Sequence, residues 1–202
     1  MTNPAVPPFV LASGSASRLR VLTDAGIDPE VVVSGVDETA TGNLDTASLV
    51  AVLAERKAIA VAGIRPDALV LGCDSMLDIG GVALGKPATT EQATSMWQAR
   101  TRQLGTLYTG HCVIHGPASR QSTSVAATTV RFGAPGGDEI AAYVATGEPL
   151  QAAGGFTIEG FGAPFVEGID GDPSNVLGLS MPLLRRMLAE VGVPITDLWR
   201  SH

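Results

Sequence analysis

The chain has few cysteines, few aromatic residues and no long apolar run, and each shortage removes a class of protein. Two cysteines in 202 residues, Cys73 and Cys112, cannot staple a disulfide scaffold. They read as reduced core residues of a cytoplasmic protein. No stretch approaches the ~18 consecutive apolar residues of a membrane-spanning helix. The opening, MTNPAVPPFVLASG, has no basic segment followed by an apolar one, so no secretory leader is expected. Aromatics make up 4% of the residues, and 13 Lys and Arg face 20 Asp and Glu for a net charge of −7. A nucleic-acid polymer calls for a basic footprint and, for single strands, stacking rings, so none is expected as a partner. A small phosphorylated ligand fits only where local cations or a metal offset the acidic field.

What is present is enough for one large domain over residues 1–202, read as two lobes around a central cleft. A chain of this length buries roughly 70% of its unfolded surface and needs no staple. PFVLAS reads as a buried first strand, followed by a Ser/Gly turn and a helix through SASRLRVLTDAG. EVVVSG reads as a second strand, VDETATGNLD as a polar loop, and TASLVAVLAERKAIAVAG as an amphipathic helix. ALVLGCDS reads as a central strand, and TTEQATSMWQARTRQLG as a helix capped by Thr89 or Thr90 and ended by Gly105. TLYTGHCVIHG and QSTSVAATTVRF form an antiparallel pair, with a short helix in GDEIAAYVATG, a strand near APFVEGI and a closing helix in LSMPLLRRMLAEVG. Early helix–strand alternation with a later antiparallel pair predicts an α/β fold with an elongated mixed sheet flanked by helices.

The stretch LGCDSMLDIGGVALGKP holds Gly80, Gly85 and Lys86 at the spacing of a phosphate-binding P-loop. Pro87 follows the lysine, where a P-loop needs a hydroxyl for magnesium, and proline has no N–H for a phosphate. Apolar runs on either side of Gly80-Gly81 predict a β-hairpin instead. Such a hairpin brings Asp74 and Lys86 together at its open end.

Other polar residues also fall at element ends. Ser13, Ser15, Ser17 and Arg18 lie at the first strand–helix turn, where free N–H groups and the helix dipole attract phosphate; the plainer reading is a capping serine and a solvated arginine. Asp37, Glu38 and Asp74 sit at strand ends, where three carboxylates can face one cleft. Magnesium or manganese would relieve their repulsion, and loop charge is the plainer reading for Asp37 and Glu38. Lys57 by itself reads as a solvated helix residue. Cys73 points away from the cleft if Asp74 points into it. His111 and His115 share one face of a strand but lack a third partner for zinc.

In order along the chain stand LASGSASR, VDE at 36–38, ERKA at 55–58, GCDS at 72–75, GKP at 85–87, YVATGEPLQAAGGFTIEG and DPSNVLGLSMPLL. This series resembles the Maf family of nucleoside triphosphate pyrophosphatases, whose fold is similar to that of the inosine triphosphatases. The resemblance covers residues 9 to 188. It implies hydrolysis of a nucleoside triphosphate at the α-phosphate to monophosphate and pyrophosphate, with a divalent metal and a homodimeric assembly. By position, Ser13 and Arg18 match phosphate-binding residues, with Ser15 beside them. Glu38, Lys57, Asp74 and Lys86 match catalytic ones, with Asp74 as general base and Glu38 and Asp74 holding the metal.

Ser17, Ser75 and Glu159 fall at substrate-selecting positions. Ala16 and Ser17 stand where the family pattern has Pro and Arg. Glu159 and DPSN lean toward the 7-methyl-GTP group, whereas Ser17 and Ser75 follow neither that group nor the dTTP/UTP group, so the base stays open. Cleansing of modified nucleotides is one implied role. A nucleotide-sensing regulator of division and septum formation with little turnover is the alternative. The opening LASGSASRL also resembles the sugar nucleotidyltransferases, but Ala16 stands where they need glycine.

Overall fold

A computed structural model of the chain describes residues 6–38 and 44–200. A seven-stranded mixed sheet runs β2 (Glu30–Val31), β1 (Phe9–Leu11), β3 (Leu69–Ile79), β5 (Leu104–His115), β6 (Arg120–Phe132), β7 (Val166–Asp170), with β4 (Val82–Leu84) paired to β3. β1 lies parallel to β2 and β3; the remaining pairs are antiparallel. Helices α1 (Ala16–Asp24), α2 (Thr46–Ile64), α3 (Thr90–Arg100), α4 (Gly137–Ala145), α5 (Pro173–Val176) and α6 (Met181–Glu190) complete the fold. The predicted α/β class with a mixed sheet and flanking helices is the observed one. Two elements are shorter than the sequence suggests. EVVVSG forms only the two-residue β2, and α3 stops at Arg100, so Gly105 belongs to β5. The polar loop VDETATGNLD falls partly outside the described residues.

The pairing of β3 leaves a gap along one edge. β5 covers one edge of β3 from Leu69 to Asp78. On the other edge, β1 pairs only with Leu69 to Leu71, and β4 only with Leu77 to Ile79. Residues 72–76 therefore have no strand beside them on that edge among the described residues. The β3–β4 hairpin turns at Gly80 and Gly81, with φ of 62° and 85°, the left-handed pair that a two-residue hairpin turn demands. The P-loop alternative is thereby excluded.

Three apolar clusters surround this sheet. α1 and α6 cover one face through Leu22, Leu184 and Leu188, which meet Leu11, Leu71 and Cys73. α2 covers the other face with Ala54, Ala58 and Val61 against Val10, Val70 and Cys112. A third cluster, around Trp97, Leu107, Phe132, Tyr143 and Phe156, underlies the hairpin end. Each large apolar side chain so buried contributes about 1.5–3 kcal/mol. Both cysteines are free and buried, as expected of core residues.

Candidate active site

α2 crosses β3 and β5 in direct backbone contact because the sheet offers glycine there. A Cβ on Gly72 would lie 2.2 Å from the Ala54 carbonyl oxygen, and one on Gly110 would lie 2.1 Å from that of Val50. No other residue type fits. The helical period puts Val50, Leu53, Ala54, Lys57, Ala58 and Val61 on the buried stripe. Lys57 is thus carried into the sheet, 8% exposed, rather than out to solvent as its type suggests. Its neighbours in the stripe are the sequence signal that marks it.

The Lys57 ammonium meets two carboxylates. Nζ lies 2.5 Å from Asp74 Oδ1 and 2.7 Å from Glu38 Oε1. Asp74 stands in the open stretch of β3 and is 6% exposed, while 54% of the Glu38 side chain is open to solvent. Burial raises the Asp74 carboxyl above the ordinary carboxylate range; Lys57 and Arg18 pull it back, and Glu38 adds to the rise. An aspartate made more basic by burial and held beside a lysine is suited to accepting a proton.

Lys86 approaches from the hairpin. Leu77 pairs with Leu84, so continuing that register brings Lys86 level with Ser75. Burial lowers the Lys86 ammonium's pKa first, and Arg18 and Lys57 lower it further against the pull of Glu38 and Asp74. These five charged groups therefore share one electrostatic neighbourhood.

The opposite entrance is the β1–α1 turn. Ser15 caps α1, its side chain accepting from the Arg18 N–H. Ser13 Oγ accepts from Ser15 N at 3.3 Å and from Arg18 Nη1 at 2.9 Å. Arg18, 8% exposed, also donates from Nη2 to Ser75 Oγ at 3.0 Å and from Nε to the Gly178 carbonyl at 2.8 Å. Three of its five N–H groups are used here, which leaves two for a ligand.

Ser75 has a second partner, Thr109 Oγ1 at 2.9 Å, and Thr109 reaches the Asn175 carbonyl. Asn175 is fully buried and donates to Leu107 O and Thr128 Oγ1. His111 accepts Ser180 N–H at Nε2, so Nδ1 carries the proton and donates to Thr109 O. Both ring nitrogens are thus engaged, and His115 Nδ1 accepts from Ala118 N, which removes the zinc reading. Thr109, His111 and Asn175 form the backing of Ser75 and Arg18; only their alternation inward along the strand and the DPSN motif hint at this in the sequence.

The other named residues lie at the margin. Ser17 Oγ donates to the Leu177 carbonyl at 2.8 Å. Glu159 pairs with Arg20 of α1, both side chains about half exposed. Glu148 orders the loop around Glu159, accepting from Thr157 Oγ1, Phe161 N and Gly162 N. Sequence reasoning passed over Glu148.

For a metal, the donor set is the test. Among the described residues no group of three or more His, Cys, Asp or Glu side chains converges. Asp74 and Glu38 do share one cation, Lys57, and offer hard oxygen donors of the kind magnesium and manganese take. Magnesium is commonly held by one or two carboxylates, with substrate phosphates and water completing its shell, so these residues fit such an ion.

The chain matches the Maf-like protein family over residues 8–191. A nucleoside triphosphate pyrophosphatase of Streptomyces coelicolor is 56% identical over 194 residues, covering 95% of this chain and 94% of the relative. One from Streptomyces avermitilis is 53% identical over 202 residues, covering 98% of each. One from Nostoc punctiforme is 48% identical over 195 residues, covering 96% and 99%. Among solved structures, the Staphylococcus aureus Ham1 protein aligns with 94% of this chain and 93% of its own at 13% identity and a TM-score of 0.42.

Proposed function

The chain belongs to the Maf-like protein family, and from that premise we propose that it hydrolyses a nucleoside triphosphate at the α-phosphate, releasing nucleoside monophosphate and pyrophosphate. The observation that carries the reading is the convergence of Asp74, Lys57, Glu38, Lys86 and Arg18 on the unpaired stretch of β3. Relatives about half identical over nearly the whole chain are named nucleoside triphosphate pyrophosphatases, which supports the same activity here.

Asp74 accepts a proton from water as its oxygen bonds to the α-phosphorus. The bond from that phosphorus to the oxygen bridging to the β-phosphate breaks, and the electron pair leaves with pyrophosphate. Lys57 orients Asp74 and favours its ionised form against the effect of burial. Arg18, with two N–H groups left over, and Lys86 neutralise phosphate charge. Ser13 places Arg18, and Ser15 supplies the capped helix turn beneath the phosphates. A divalent ion held by Asp74 and Glu38 would neutralise further charge on the phosphate oxygens.

The base is selected by Ser17 and Glu159 at the margin and by Ser75 in the open stretch of β3. Ser75 acts there through Arg18 and Glu159 through its pairing with Arg20. Among the described residues no helix is long and apolar enough to cross a membrane. A homodimer is what the family resemblance implies, and sedimentation velocity is the check on it.

The deciding experiment incubates purified protein and magnesium with dTTP, UTP, CTP and 7-methyl-GTP and resolves the products. Pyrophosphate with monophosphate is expected, from one base above the others. Orthophosphate with diphosphate overturns the mechanism, and tight binding without product favours a nucleotide-sensing regulator.

A further inference from the structure

Lys86 belongs to no helix or strand, yet its ammonium must be held in the cleft. Its backbone is tied down from behind. The carbonyl of Gly85 accepts the Gly154 N–H at 2.8 Å. Gly154 and Gly155 both adopt left-handed backbone, φ 68° and 66°. A Cβ on Gly154 would come within 2.6 Å of the Leu77 Cβ, so the turn is seated directly on the hairpin that carries Lys86. The Pro87 ring closes on the other side, 3.3 Å from where a Gly155 Cβ would stand.

The turn is held in its turn by α3. The Gly155 carbonyl accepts the Trp97 indole N–H in a buried bond of 2.8 Å. Trp97 is fully buried and meets Phe132, Tyr143 and Phe165 edge to face, with centroids 5.6–5.8 Å apart. One helical step on, the fully buried Arg100 lays its guanidinium 4.5 Å from the Trp97 ring, 5.1 Å from Phe132 and 6.0 Å from Phe156. Its Nε donates to Met96 O, while Nη1 and Nη2 find no hydrogen-bond partner among the described residues. Burial draws its pKa down to about 9. The aromatic rings are thus the stabilising partners of this cation, which in turn packs against the Trp97 ring that holds the Gly155 carbonyl.

We propose that Trp97 is a positioning residue for Lys86, acting through the Gly155 carbonyl and the Gly154 N–H on Gly85, with Arg100 stiffening the rings behind it. The proposal rests on the reading that Lys86 carries triphosphate charge. α3 and its aromatic cluster then have a task beyond the core: they hold a lysine on the far side of a glycine turn. Misplacement by about 1 Å can cost on the order of 100-fold in rate; a lysine that loses one backbone tether but keeps the others is expected to bind about 10-fold more weakly.

A double-mutant cycle between Trp97→Phe and Lys86→Ala tests it, with thermal melts on all four proteins. The readout is affinity for the α,β-methylene analogue of the best substrate and for inorganic pyrophosphate, with magnesium present. Neither needs turnover, so an inactive Lys86→Ala protein still reports. Expected is about 10-fold weaker binding from Trp97→Phe when Lys86 is present and less than 2-fold when it is alanine. Equal losses in both backgrounds, or no loss when Lys86 is present, overturn the proposal. Should Trp97→Phe fail to fold, 3-benzothienylalanine at position 97 keeps the ring and removes the donor, and the same cycle applies. Failure of the wild-type protein to release pyrophosphate would instead remove the underlying reading, an outcome separate from any result of the cycle.

Discussion

Asp74 and Ser75 are adjacent in β3 and face opposite sides of the sheet. On the α2 side, Asp74 sits in an ionic array: one buried ammonium between two carboxylates. On the α1 side, Ser75 sits in an array of directed hydrogen bonds, from Arg18 through Thr109 to the Asn175 carbonyl. The first array has movable protons and an exposed carboxylate that can change partners. The second is rigid, backed by a neutral histidine and an asparagine with no exposed surface. On the proposed reading, one strand separates the proton chemistry from the holding of charge, and the two meet between β1 and β4.

The largest test of this division is Asp74→Asn. It should lower kcat about 10²- to 10⁴-fold with KM little changed, as loss of a general base does; steady-state pyrophosphate release measures it. A large rise in KM instead would merge the two sides.

Next comes the histidine behind Ser75. Burial depresses His111 from 6.5 to about 4. Its folded pKa is the lower one, so its contribution is complete above about pH 6.5 and is lost as pH falls toward 4, an effect on the order of 3 kcal/mol. Urea midpoints against pH should fall across that window, and His111→Gln should flatten the fall.

Arg18→Ala is expected to raise KM about 10- to 100-fold, the worth of a charged hydrogen bond or two, with a smaller change in kcat. The same kinetics reads the split. Ser75→Ala is the mildest change: about 1 kcal/mol of stability by thermal melting and a few-fold in KM. If it lowered kcat as Asp74→Asn does, the two faces of β3 would not be separable.

The fold was legible wherever period and punctuation agreed. The α2 stripe, the Gly80-Gly81 turn and the long β5–β6 pair all declare themselves in the sequence. Where β1 and β4 stop along β3 does not, because that depends on which strand takes which edge, a long-range choice. The candidate site was legible in its charged members, since acids and bases at strand ends are conspicuous. Thr109, His111 and Asn175 were not, because a buried polar residue looks like any other strand or loop residue until its partners are in place. Lys57 lies between: its residue type suggested solvent, but its place among Val50, Leu53, Ala54 and Val61 marked it as buried.

The three longest strands, β3, β5 and β6, have 11, 12 and 13 residues and run past the cleft without interruption. They behave as a laminated leaf spring roughly 35–40 Å long. Where this spring backs the mouth between β1 and β4, any opening that bends the sheet is resisted along the whole length of the strands. Each such excursion is shared among the rungs of two long ladders, so the enzyme's compliance is low and distributed. On the proposed reading, Ser13 and Lys86 are carried on this one stiff frame from opposite sides of the mouth, like the jaws of a gauge.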